Sequence, residues 1–207
     1  MLRAWKADQR VAGLEPRYGD LSRGAREATR KALFAEQTGQ CVYCGRGIDL
    51  ELYNGHHVEH FRPRRYRHLE LTYGNLFLSC GPHQARGGVQ RTCGNEKKEW
   101  FDENCHVEPA PEEACQRRFW FTSGGGIQGD GSPEAEKMVV ALNLNHPELM
   151  VERSELVEFL DGQLNEGVSH GELAAAFLGV SSIGARASFA NVAIQYLRRQ
   201  ADSDQHS

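Results

Sequence analysis

The chain has 207 residues, 40% of them hydrophobic and 25% charged, with a formal net charge of −4. That length and balance can bury one moderate core or two small ones, and the charge excludes a chain that is basic along its whole length. No run approaches the roughly 18 apolar residues of a membrane span, and Met1-Leu2-Arg3-Ala4-Trp5-Lys6 leads into polar sequence rather than a signal-peptide core, so a soluble cytoplasmic protein with no membrane partner is expected.

Residues 1–23 carry Gly13, Pro16 and Gly19 among isolated apolar residues and predict an extended arm or loop. From Ala25 to Gln37, Ala25, Ala28, Ala32, Leu33 and Phe34 recur at helical spacing, and Thr38-Gly39 stops the pattern before Cys41. Between Cys41 and Trp100 the turn signals Gly45-Arg46-Gly47 and Asn54-Gly55 flank short segments, which fits two short strands followed by a helix. Arg118-Phe119-Trp120-Phe121-Thr122 before Gly124-Gly125-Gly126 predicts a strand entering the turn of a small hairpin. Ser132-Pro133 supplies a helix cap and first position, Asn145 is a candidate cap for the helix that Pro147 opens, and residues 133–200 are expected to be mostly helical. The polar tail from Gln200 to Ser207 lacks apolar anchors and is expected to fray.

Six cysteines are present. In a cytosolic chain they stay reduced, and a CxxC pair there binds metal or does redox work. Structural zinc takes four soft ligands in a tetrahedron, and Cys41, Cys44, Cys80 and Cys93 supply that count, leaving Cys105 and Cys115 outside it. Cys41 and Cys44 also read as a redox dithiol, and Cys80 or Cys93 as a buried thiol. The twelve residues between Cys80 and Cys93, among them His83, should bulge outward from such a site.

Between the cysteines lies His57-Val58-Glu59-His60-Phe61-Arg62-Pro63-Arg64. Phosphodiester hydrolysis needs a deprotonated water and a cation to neutralise the charge that develops. A neutral imidazole suits the base and a carboxylate suits a hard cation such as Mg²⁺ or Mn²⁺, so His60 is the candidate base, Glu59 the candidate ligand, and Asn95 a further amide oxygen. The two residues are adjacent, so they can converge on one phosphate only at a strand end or bulge. Arg62, Arg64, Arg65 and Arg67, extended by Lys98, form either a phosphate clamp or a solvated charged face. Nucleic-acid binding needs only such a local positive footprint.

These residues resemble the HNH, or ββα-metal, endonucleases: His60 matches the first His, Asn75 the central Asn, and Asn95 stands where the eponymous last His would be. Over about residues 30–160, Glu59-His60-Phe61-Arg62-Pro63, Gly74-Asn75-Leu76-Phe77-Leu78-Ser79-Cys80, Thr92-Cys93-Gly94 and Asn143-Leu144-Asn145-His146-Pro147 look like the PtuB nucleases of Septu and retron-associated antiphage defence. The resemblance implies an α+β fold: a zinc-stapled ββα-metal core with an N-terminal helix and a mostly helical C-terminal region. It implies that Asn75 holds the loop and orients the base, that Glu59 and Asn95 bind a catalytic ion, and that an ABC- or SMC-like ATPase is the partner. DNA is the expected substrate, with RNA such as tRNA, or a non-catalytic zinc-stapled binding module, as alternatives. The expected units are an arm and helix over 1–40, a zinc-bound nuclease core over 41–104, a hairpin segment over 105–132, the helical region over 133–200 and a disordered tail over 201–207.

Overall fold

The computed structural model describes residues 16–52, 54–85, 88–110 and 112–204, so the expected arm over 1–15 and the tail over 205–207 lie outside the described residues. After a 3₁₀ turn at Tyr18–Asp20, helix α1 spans Arg23–Glu36. Ser22 caps it by accepting from the Ala25 amide, and its inner face buries Thr29, Leu33 and Phe34. The helix ends against the sheet because Gln37 is a clamp. Its Nε2 donates to the carbonyls of Gln40 and Leu78, and its Oε1 accepts from the Leu78 amide at 2.7 Å.

The expected pair of strands and following helix are present. Strand β1 (His56–His60) pairs antiparallel with β2 (Leu76–Cys80), in a register that sets His57 opposite Ser79 and His60 opposite Leu76. A two-stranded insert, β3 (His83–Ala85) and β4 (Gly88–Gln90), separates β2 from the short helix α2 (Cys93–Lys97). The side chain of His83 lies outside the described residues.

After helix α3 (Glu112–Gln116), the hairpin of β5 (Phe119–Phe121) and β6 (Ile127–Gly129) forms where the aromatic run meets the glycines. Four helices follow: α4 (Pro133–Ala141), α5 (Pro147–Asn165), α6 (His170–Leu178) and α7 (Ala190–Asp204). Ser132 caps α4 as expected. The cap of α5 is His146, whose Nδ1 accepts from the Glu148 amide, rather than Asn145. Asn145 is turned instead onto β6, where it accepts from the Ile127 amide at 2.8 Å and donates to the Ile127 carbonyl at 3.0 Å. Of the tail expected to fray from Gln200, residues as far as Asp204 are helical, as the end of α7, which Ala193 and Leu197 anchor upstream in a small cluster with Leu160 and Leu173.

One core cluster runs from Tyr18 through Leu33, Phe61, Leu78 and Met138 to Val192, joining the N-terminal helix, the strands and the C-terminal helices. The segment after α6 returns to the first cysteine knuckle, where Phe189 donates its amide to Gly45 at 2.7 Å and Gln40 donates to Ala187. Gly45 there has φ +79, and a Cβ would meet Asn191 Oδ1 at 2.2 Å, so this close approach requires glycine. Among the described residues no helix is long and apolar enough to cross a membrane.

Candidate functional site

The four cysteines converge. Cys41 and Cys44 sit on a tight knuckle, Cys80 ends β2, and Cys93 opens α2 with φ 57. All are buried, and their sulfurs lie within 4.8 Å of one another, so together they can hold a metal ion such as zinc. A zinc–sulfur bond of about 2.3 Å places tetrahedral sulfurs roughly 3.8 Å apart. Cys44 and Cys80 meet that spacing at 3.8 Å. The Arg46 amide donates to Cys44 Sγ at 3.5 Å, an interaction that orients a thiolate for an ion. Four thiols so close share protons unequally. Burial opposes ionisation of Cys41, but hydrogen bonds from Cys44, Cys80 and Cys93 hold it well below its ordinary value. Hydrogen bonding to Cys41 and Cys44 pushes Cys80 well up, and burial followed by its thiol neighbours does the same for Cys93. A dication is what allows such a set to ionise together. Cys105 and Cys115 stand outside the cluster, as expected.

Glu59 and His60 lie in regular pairing up to the end of β1, so the bulge that would turn both to one side is absent and they face opposite ways. Glu59 is buried, with Lys97 Nζ 2.7 Å from its Oε1, the Tyr43 hydroxyl donating to the same oxygen at 3.3 Å, and His57 Nε2 3.4 Å from Oε2. Burial and the Glu59 carboxylate push the Tyr43 phenol well above its ordinary value. Helix α2 is pressed against this group at Gly94, where a Cβ would stand 2.5 Å from His57 Nε2 and 2.6 Å from Glu59 Oε2. His57 Nδ1 is buried without a hydrogen-bond partner.

On the other face His60 is 6% exposed, with its ring edge-on to Tyr18 at 5.1 Å. Its Nε2 lies 3.0 Å from the Glu70 carbonyl, which only accepts, so Nε2 carries the proton and Nδ1 keeps a lone pair. Burial, then the nearby Arg64 guanidinium, lower its pKa, which keeps the ring neutral at cell pH.

Asn75 is buried and spans the loop that leaves β1: it accepts from the Arg62 amide at 2.7 Å and donates to the carbonyls of Arg62 and Leu69. Asn95, half-buried on α2, donates its Nδ2 to the Cys80 carbonyl at 3.0 Å, which ties this helix to the cysteine cluster.

The arginines do not form one open clamp. Arg62 pairs with Glu108 and stacks on Phe101 at 5.2 Å, and Arg67 lies 3.5 Å from Glu70. Arg65 donates to the carbonyls of Glu99 and Phe101, while Arg64 stacks on Tyr18 at 5.4 Å. Arg17, Arg64, Arg65 and Arg67, with Asp20, Glu70 and Glu99, line a cleft of about 380 Å³. Glu70 links that cleft to His60, since its carbonyl holds the ring and its carboxylate faces Arg67. Lys98 is exposed just past α2, with φ 50.

The residues that sequence reasoning missed are Lys97, Arg17, Tyr43 and Glu70. Lys97 had a signal: it lies four residues after Cys93 on the same helix, so a buried Cys93 carries Lys97 onto the buried face. Comparison with protein-family models gives no match, and no curated protein matches the chain.

Proposed function

We propose that the chain is a zinc-stapled HNH-type endonuclease that hydrolyses phosphodiester bonds. The observation that carries this reading is the neutral imidazole of His60, held by the Glu70 carbonyl with Nδ1 unprotonated and joined through Glu70 to a cleft with four guanidiniums. Such an imidazole is a competent base, and guanidiniums match phosphate oxygens. In this reading Nδ1 of His60 takes a proton from the attacking water. The new P–O bond forms as the ester P–O bond breaks, and the leaving oxygen takes a proton from solvent. Asn75 keeps the loop and hence the imidazole in place, and Arg64, Arg65 and Arg67 hold the phosphate with Lys98 at the margin. Glu59 and Asn95 are the oxygen donors that would hold a hard cation, Mg²⁺ or Mn²⁺, but Glu59 faces away from His60 and already carries the Lys97 ammonium, so no step at the phosphate is assigned to that ion.

DNA is the proposed substrate, with RNA such as tRNA open to the same chemistry. The proposed setting is cytoplasmic antiphage defence beside an ABC- or SMC-like ATPase, as the likeness to PtuB nucleases implies. Leu178, Val180 and Ile183 are exposed at the end of α6 and in the segment after it, and they offer a partner surface. A non-catalytic binding module is the second reading, favoured by the Lys97 ammonium that already sits on Glu59. The test incubates the zinc-loaded chain with plasmid DNA and total tRNA in Mg²⁺ or Mn²⁺, with and without the ATPase. Cleavage lost in His60→Ala supports the nuclease and identifies the polymer, whereas no cleavage by wild type under any of these conditions, or a contaminant's cleavage that is unchanged in His60→Ala, supports the second reading.

A further inference from the structure

Lys97 is fully buried, and a buried ammonium persists only where an anion and further acceptors hold it. It has both, since its Nζ is 2.7 Å from Glu59 Oε1 and donates to the His60 carbonyl at 3.1 Å. A methionine would fill the same volume on the buried face of α2, so packing alone does not call for a cation there. The charge of Glu59 is therefore already balanced inside the chain. A divalent ion arriving at this carboxylate would meet an ammonium fixed on the same oxygen and shielded from solvent, where charges repel strongly.

We propose that the Lys97 ammonium takes the place of a divalent cation on Glu59, so that the free chain is closed to that ion. Lys97 is in this sense a positioning residue: it holds the Glu59 carboxylate and the His60 backbone together at the end of β1, and its charge sets whether an ion can enter. The inference rests on the nuclease reading for the identity of the ion, but its test reads ion binding, so cleavage in His60→Ala and the result below can fail separately.

Mn²⁺ binding to the zinc-loaded full chain is measured by electron paramagnetic resonance for wild type, Lys97→Met, Lys97→Gln and Lys97→Arg, with near-ultraviolet circular dichroism and zinc content as checks of folding. Removing the charge should lower the Mn²⁺ dissociation constant at least tenfold in the Met and Gln variants, and Arg should remain like wild type. Adding Glu59→Gln to either neutral variant should abolish the gain. Equal affinity in wild type and a folded neutral variant, or a gain that survives Glu59→Gln, overturns the proposal. If Lys97→Met does not fold, the Gln and Arg variants decide by the same rule.

Discussion

His60 and Asn75 set what single side chains contribute. Burial and Arg64 keep the pKa of His60 below its ordinary value of about 6.5, so the imidazole stays neutral to lower pH than a free one would, as the base of the proposed reaction must. The acid limb of a cleavage pH–rate profile should therefore fall below pH 6.5, and it should move up in Arg64→Ala. Stability follows the same sign. The unfolded histidine takes a proton first as pH falls through about 6.5, so the folded state loses stability from there down to the depressed folded pKa. His60→Gln should reduce that loss in urea midpoints measured across this range. Asn75→Ala leaves the part-buried Arg62 amide without its acceptor and frees the loop, which should cost about 1–3 kcal/mol in urea unfolding. The positions of these residues were legible from the Glu-His and Gly-Asn-Leu patterns. The opposite facing of Glu59 and His60 was not, because it depends on regular pairing with β2 to the end of the strand, a non-local fact.

Among elements, the turn from Leu142 to Pro147 joins four parts of the molecule. The Leu142 carbonyl accepts from the Cys93 amide at 2.8 Å, Asn143 donates to Arg91, Asn145 holds Ile127 from both sides, and His146 caps α5. Arg153, 1% exposed on α5, completes the knot by donating to the carbonyls of Gly125 and Leu144 and stacking on Phe121. Arg153→Met keeps most of the volume but strands both carbonyls, and a loss of about 2–4 kcal/mol in urea unfolding is expected. The Asn-Leu-Asn-His-Pro string was visible in the sequence as a motif, and Pro147 located the helix. Its role as a joint was hidden, since a sequence shows that Asn145 and His146 can cap but not which of them the hairpin requires.

For the whole molecule, the cysteine cluster is the link between segments distant in the chain, because its four thiols come from the knuckle after α1, the end of β2 and the start of α2. Structural zinc can contribute the folding energy of a small metal domain outright. Native mass spectrometry should find one zinc ion per chain, and chelation or Cys41→Ser should remove it and lower the melting temperature. Unchanged melting in Cys41→Ser would exclude this ligand set. The return of residues 186–189 onto Thr38 and Gly45 further suggests that zinc loss will loosen the C-terminal helices, seen as faster amide exchange in α7. The four cysteines that come together and the helical second half could be read from spacing and periodicity. The continuity of one core across both halves could not, since it joins residues as far apart in sequence as Leu33 and Met138 in one cluster.

The most direct measurement compares nucleic-acid cleavage by His60→Ala and His57→Ala, two imidazoles three residues apart on opposite faces of one strand. With zinc content and melting curves matched to wild type, His60→Ala should lose activity by about 10²–10⁴-fold and His57→Ala should retain most of it. The reverse order, or equal activity in both variants, would contradict His60 as the base.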